Sequence, residues 1–172
     1  LTGHKAFLYP SPLHFKIIPK LVKETGANVL LATDTFAYQY ARSGDGEDLK
    51  GLKFIVCGAE RVRNETRDLF ENKLGVLLIE GYGATEASPV IAVNKPNENV
   101  PGTVGTLLPG IETRLEKVPG IHEGANLYVR GPNVMSGYLT AAGLAPPVDG
   151  WHDTGDVVTI DEAGRITIKG RT

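Results

Sequence analysis

The chain has little sulfur, little net charge and no long apolar run. One cysteine, one methionine and one tryptophan occur in 172 residues. A lone Cys57 rules out an intrachain disulfide and points to a reducing compartment. It ends the run Phe54-Ile55-Val56-Cys57, where a small buried hydrophobe is expected, and no His lies near it in sequence to activate it as a nucleophile. Lys plus Arg number 18 against 20 Asp plus Glu, a formal charge of -2. Nothing electrostatic therefore recruits nucleic acid or an anionic membrane surface. Apolar stretches such as Val76 to Ile79 fall far short of the roughly 20 residues that span a bilayer, and the first residues carry no signal-peptide pattern. The cytoplasm is the expected location. The chain starts at Leu1 and stops at Gly170-Arg171-Thr172 directly after a strand-like run, so it is expected to be an internal piece of a longer protein.

What is present is the composition of an ordinary globular protein, 41% hydrophobic and 22% charged, long enough for one core or two small lobes. The 21 glycines suggest several tight turns or backbone surfaces approached closely by a ligand. The first half alternates strand and helix patterns. Ala6 to Tyr9 is an apolar run ended by Pro10-Ser11-Pro12. Ile17, Ile18, Leu21 and Val22 fall at helical spacing, with Gly26 as the stop and Pro19 tolerable only in the first turn. Val29 to Ala32 and Lys53 to Cys57 read as buried strands, Thr35 to Ala41 as a short helix and Arg42 to Asp48 as a polar loop. A helix over Arg63 to Lys73 shows an apolar face of Thr66, Leu69, Phe70 and Leu74, closed by Gly75, before a strand at Val76 to Ile79. That order predicts a mostly parallel, helix-covered sheet. Near residues 96–101 the pattern changes to period two, in Ile111 to Leu115, Leu127 to Arg130 and Arg165 to Lys169, between recurrent Gly/Pro turns. Short antiparallel strands in a small barrel or meander are expected there. The fold class is thus α/β, with an α/β lobe at 1–98 and a β-barrel-like lobe at 99–172.

Four stretches could carry chemistry. Gly81-Tyr82-Gly83-Ala84-Thr85-Glu86 follows the strand at Val76 to Ile79, the end at which parallel sheets bind ligands. Its glycines allow close approach, Tyr82 offers a ring face, Thr85 a hydroxyl for a phosphate oxygen, and Glu86 a carboxylate suited to Mg²⁺. Gly58-Ala59-Glu60 ends another strand and leaves a slot for a planar ring. In Trp151-His152-Asp153-Thr154-Gly155-Asp156, Asp156 could accept two hydrogen bonds from vicinal ribose hydroxyls; a metal site from His152, Asp153 and Asp156 is the rival reading. Arg171 offers a permanently charged fork for phosphate or ribose oxygens. Each has a plain alternative: a tight turn with an exposed Glu, a strand ended by small residues, a simple turn, a solvated Arg. Ser11 and His14 lack a G-x-S-x-G elbow and do not make a hydrolase.

The order of these motifs decides what each alone does not. Gly81 to Glu86, Pro101-Gly102-Thr103-Val104-Gly105, Gly131-Pro132-Asn133-Val134-Met135-Ser136-Gly137-Tyr138, Gly150 to Asp156, and Gly170-Arg171 together resemble the adenylate-forming (AMP-binding) superfamily over essentially the whole chain. Phe7 to His14 and Val118-Pro119-Gly120-Ile121 look most like the acyl–acyl carrier protein synthetase part of bacterial bifunctional 2-acylglycerophosphoethanolamine acyltransferases. The resemblance implies an ATP-dependent ligase that converts a fatty acid to its acyl-adenylate. It then passes the acyl group to a thiol of acyl carrier protein or CoA. It implies that Tyr82 stacks on adenine with Gly58, Ala59 and Glu60 opposite, and that Gly81, Gly83 and Ala84 line the nucleotide. Thr85 would contact the α-phosphate or the acyl-adenylate, Glu86 would bind Mg²⁺, and Asp156 and Arg171 would hold the ribose hydroxyls. Thr35, Phe36 and Gly81 would line the acyl chain.

The chain departs from the family pattern in lacking the upstream Ser/Thr/Gly-rich phosphate loop and the C-terminal domain with its adenylation lysine. The remainder of the parent chain would be its partner, any inner-membrane association would come from there, and these residues alone are expected to turn over negligibly. Two other functions compete: a nucleotide-binding module of the same fold without catalysis, and a metal hydrolase using His152, Asp153 and Asp156.

Overall fold

The computed structural model describes residues 3–43 and 46–172. The chain forms two compact units, Leu1–Ile79 and Glu80–Thr172, so the division falls ahead of the compositional change near residues 96–101.

In the first unit, α1 (Ile18–Thr25) starts with Pro19 in its first turn and stops at Gly26 with φ 64°. Strand β1 (Val29–Ala32) pairs in parallel with β2 (Phe54–Cys57), Leu30 opposite Ile55 and Ala32 opposite Cys57. Those four share one face, and that face meets the helices: Ile55 and Cys57 are fully buried with Val22, Ala37, Tyr40, Phe70 and Leu74. Cys57 is thus the small core hydrophobe its neighbours imply. The opposite face of β1 is open, Leu31 being 75% exposed. Helix α2 (Asp34–Ser43) runs past the expected helix at both ends. Of the polar loop expected over Arg42 to Asp48, Gly44 and Asp45 lie outside the described residues, and residues 46–49 form a 3-10 turn. Helix α3 (Asn64–Asp68) widens into a π-helical turn over Leu69–Leu74; Thr66, Phe70 and Leu74 are buried as the apolar face predicts. Buried Asp34 caps α3 from a distance, accepting the Arg63 amide at 3.0 Å and pairing with the Arg63 guanidinium. The apolar run Ala6 to Tyr9 forms no strand. Those residues are irregular, Leu8 is 90% exposed, and an apolar run with no strand beside it and no core beneath it has nothing to hold it extended.

Strand β3 (Leu77–Gly83) begins in the first unit and ends in the second. In the second unit its end pairs antiparallel with β4 (Val90–Val93), which pairs antiparallel with β5 (Thr106–Leu107). A four-stranded antiparallel sheet follows, ordered β11 (Ile166–Arg171), β10 (His152–Ile160), β7 (Ala125–Arg130), β6 (Glu112–Glu116). A separate hairpin joins β8 (Tyr138–Thr140) and β9 (Gly143–Ala145). Alternating residues Leu127, Val129, Val158 and Ile166 bury against Ala87, Ile91 and Ala92. The antiparallel lobe is therefore built of open sheets; among the described residues no barrel closes. The loop before β5 is anchored by buried polar groups: the Glu80 carboxylate accepts the Gly102 amide at 2.8 Å, and Asn94 holds Val100 and Thr103. No described helix is long and apolar enough to cross a membrane.

Candidate active site

The six-residue motif does not lie beyond β3 as its small residues suggest. Gly81, Tyr82 and Gly83 are the end of the strand itself, opposite Val93, Ala92 and Val90. Ala84, extended, leads into a 3-10 turn over Thr85–Ala87 that ends at left-handed Ser88. Gly83 makes room for the chain's own backbone. A Cβ there would sit 2.1 Å from the Pro89 carbonyl oxygen, the oxygen that accepts the Ala84 amide at 2.8 Å. The turn holds exposed Thr85 and half-buried Glu86 over the buried methyl of Ala87.

Asp156 is brought beside Tyr82 by an irregularity. Between β10 and β7 the register slips from Asp153↔Tyr128 to Val157↔Asn126, so β10 bulges across Thr154–Asp156. Gly155 takes φ 67° there, a conformation open to glycine at no steric cost. The bulge is pinned: Thr154 Oγ1 donates to the Leu127 carbonyl at 2.8 Å and accepts the Asp156 amide at 3.1 Å. Asp156 then lies opposite Arg171. Its two carboxylate oxygens take different partners, the Tyr82 hydroxyl at 2.6 Å on Oδ2 and Arg171 Nε at 2.9 Å on Oδ1. Burial, then the bond to Asp156, pushes the Tyr82 hydroxyl well above the usual tyrosine range, so it stays a donor and fixes the ring. Two ionised oxygens offer about four acceptor positions, so Asp156 retains room for two more donors.

Glu86 is held from another direction. Tyr138 on β8 donates its hydroxyl to Glu86 Oε1 at 2.6 Å. That bond, helped by the Glu86 amide and more weakly by His152 and Arg171, holds the carboxyl below the usual glutamate value. Sequence reasoning missed Tyr138, although it closes the Gly131 to Tyr138 motif; Thr154 was missed as well. Neither residue type announces a positioning role without the partner that only the fold supplies.

Tyr82, Asp156 and Arg171 are thus brought together, with Thr85 and Glu86 on the adjoining turn. The hydrolase triad is not assembled: among the described residues no group of three or more His, Cys, Asp and Glu could hold a metal. Neighbours along a strand point to opposite faces, and Asp153 is committed to the Asn126 amide at 2.8 Å and the Gly155 amide at 2.9 Å. Ser11 and His14 do not pair in the structure; His14 bonds Tyr9 at 2.8 Å.

In the first unit, the expected nucleotide residue Glu60 and the expected acyl residue Thr35 are partners of each other. Glu60 Oε2 accepts the Thr35 hydroxyl at 2.7 Å and the Thr35 amide at 3.1 Å. These bonds, the hydroxyl's foremost, lower the Glu60 carboxyl from its usual value and place a negative charge at the N-terminus of α2, where the helix dipole favours it. Gly58 and Ala59 follow β2 as expected, Ala59 in a left-handed conformation with φ 66°. Phe36 packs into the core, stacked on Tyr40 at 6.4 Å and near Phe15 at 6.5 Å. Two hollows of about 220 and 260 Å³ occur in the second unit. Neither includes Tyr82, Thr85, Glu86, Asp156 or Arg171. The charged rim of the first is already paired, Lys95 with Glu98 and Arg165 with Asp161.

The model of the family described as AMP-binding enzyme matches residues 1–139. This chain belongs to the AMP-binding enzyme family. Among curated relatives, a long-chain-fatty-acid–CoA ligase of Yersinia pestis is 31% identical over 98% of the chain and 32% of its own length. A p-hydroxybenzoic acid–AMP ligase of Mycobacterium tuberculosis is 28% identical over 99% of the chain and 25% of its own length. Among solved structures, a malonyl-CoA ligase with methylmalonyl-CoA and AMP bound superposes with a TM-score of 0.73 at 29% identity, covering 90% of the chain and 36% of its own. The chain spans between a quarter and just over a third of the length of these relatives.

Proposed function

We propose that this chain supplies the adenosine-binding and phosphate-facing part of an ATP-dependent, AMP-forming acyl-acid ligase. The observation carrying the reading is the convergence of Tyr82, Asp156 and Arg171, with Glu86 on the turn that Tyr82 leads into. The donor set suits a nucleotide. Tyr82 presents a fixed ring to a purine, Asp156 keeps acceptor capacity for two ribose hydroxyls, and Arg171 adds a cation beside them. Gly58 and Ala59 are proposed to flank the base, with Gly81, Gly83 and Ala84 as backbone neighbours. Thr35 and Glu60, already paired, are proposed to act by shaping the end of α2, and Phe36 and Gly81 by bordering the acyl chain.

The reaction requires a carboxylate oxygen to attack the α-phosphorus of ATP while the bond to pyrophosphate breaks, and most of the help a protein gives is alignment and charge stabilisation. Thr85, exposed on its turn, is positioned to donate to a phosphate oxygen, and Glu86 is the carboxylate to which Mg²⁺ would bind. A lone carboxylate fits Mg²⁺, which takes one or two carboxylates and completes its shell with water and phosphate oxygens; when bound it neutralises charge on the phosphates. The acyl group would then pass to a carrier thiol. A long-chain fatty acid is the proposed acid, and acyl carrier protein or CoA the acceptor, on the motif likeness of Phe7 to His14 and the fatty-acid ligase relatives. Turnover is proposed to need residues beyond this chain, a phosphate loop and a lysine-bearing domain.

The test is ATP–pyrophosphate exchange by the full-length protein with acetate, benzoate and palmitate, followed by acyl transfer to acyl carrier protein and to CoA. Exchange stimulated by palmitate supports the reading. Nucleotide binding with no exchange for any acid would leave a non-catalytic nucleotide-binding module, and no nucleotide binding would refute the site.

A further inference from the structure

The segment Asn133 to Tyr138 grips the turn over Thr85–Ala87 at successive points. The Asn133 side-chain amide donates to the carbonyls of Ala87 at 2.7 Å and Val90 at 3.0 Å. The Met135 amide donates to the Glu86 carbonyl at 2.7 Å. Tyr138 then reaches the Glu86 carboxylate at 2.6 Å. The first contacts fix the backbone of the turn, but a glutamate still has its own side-chain torsions to lose, and among the described residues the Tyr138 hydroxyl is the side-chain donor that acts on them, beside the Glu86 amide. Tyr138 is not held there by burial. It is 53% exposed, on a hairpin whose Leu139 and Leu144 are 87% and 59% exposed. A half-exposed tyrosine is held only weakly by packing, and the bond to Glu86 directs its hydroxyl.

We propose that Tyr138 is a positioning residue for the phosphate-side cation site, holding the Glu86 carboxylate in one rotamer and committing one of its two oxygens so that the other meets the cation. This rests on the reading of Glu86 as the Mg²⁺-facing carboxylate. Outer-shell partners of metal-binding groups typically carry about 10- to 100-fold of metal affinity. Half exposure puts Tyr138 at the low end, about tenfold.

The experiment measures ATP and AMP binding to the full-length protein by calorimetry over a MgCl₂ series, for the unsubstituted protein, Tyr138→Phe and Leu139→Ala, with unfolding midpoints for each. Tyr138→Phe is expected to need about tenfold more Mg²⁺ for the same gain in ATP affinity, with magnesium-free AMP binding and the unfolding midpoint unchanged. Leu139→Ala is expected to match the unsubstituted protein throughout. A magnesium dependence unaltered in Tyr138→Phe, or a loss of magnesium-free AMP affinity equal to the loss for ATP, overturns the positioning role. If the unsubstituted protein binds ATP with no dependence on Mg²⁺ at all, it is the reading of Glu86 that fails, and the proposal fails with it.

Discussion

Gly83→Ala should be among the most damaging single-methyl additions to the second unit. The added Cβ would stand 2.1 Å from the Pro89 oxygen, 2.7 Å from its carbonyl carbon and 3.1 Å from the Val90 Cα. All three are backbone atoms, so no side chain can rotate away, and relief requires β3 and the start of β4 to separate by about an ångström. That separation stretches the Ala84 to Pro89 hydrogen bond, 2.8 Å long, at the entrance to the turn carrying Thr85 and Glu86. Overpacking costs typically about 1–3 kcal/mol; with backbone on the receiving side we expect about 3 kcal/mol. In a chain of this size that lowers the melting temperature by about 6–12 °C. Gly51→Ala is the control, since a Cβ there meets nothing within 4 Å; a change within about 0.5 kcal/mol is expected. Thermal unfolding followed by circular dichroism reads both. A melting temperature for Gly83→Ala within about 2 °C of the parent would refute the steric reasoning, because no repacking of side chains could absorb that contact.

Tyr82→Phe keeps the ring and removes one of the two partners of the Asp156 carboxylate, so stability should fall by about 1–2 kcal/mol, the range for a partly exposed hydrogen bond to a charged group, while nucleotide affinity falls less than in Tyr82→Ala; equal affinity losses would argue against a stacking role. Asp34→Ala removes the cap of α3 and the partner of Arg63, at an expected cost of about 2 kcal/mol in chemical denaturation. Glu60 has its carboxyl lowered from the ordinary glutamate value of 4.5, so the stability its hydrogen bonds contribute is fully present above pH about 4.5 and is lost as pH falls through the lowered value. Glu60→Gln should remove its share of that acid dependence, and an unchanged acid limb would contradict the assignment.

Local signals carried the fold where they had a partner nearby in the chain. Gly26 and Gly75 stop their helices in left-handed conformations, β1 lies where a short apolar run between turns puts it, and Phe70 and Leu74 bury as their spacing demands. The apolar run Ala6 to Tyr9 stays irregular because apolar composition does not make a strand without a neighbour. The candidate site was legible in its residue types, not in its wiring. The close approach of the Pro89 carbonyl to Gly83 has no signature in the sequence. Glu60 and Thr35 looked like two ligand contacts and satisfy each other. The bulge at Thr154–Asp156 has no sequence signature beyond one glycine, yet it turns Asp156 toward Tyr82. Tyr138 is separated from Glu86 by 52 positions, and only tertiary structure joins them.

The central claim is that the Asp156 carboxylate, steadied by Tyr82 and Arg171, accepts the ribose hydroxyls of the nucleotide. Calorimetric titration of AMP into the full-length protein and into Asp156→Asn tests it directly, because the amide keeps the shape and loses the charge and half the acceptor capacity. Affinity should fall by about 10- to 100-fold, the equivalent of losing charge-assisted hydrogen bonds worth about 1.5–3 kcal/mol. An Asp156→Asn protein that unfolds at the same temperature and binds AMP within about twofold of the parent would contradict it.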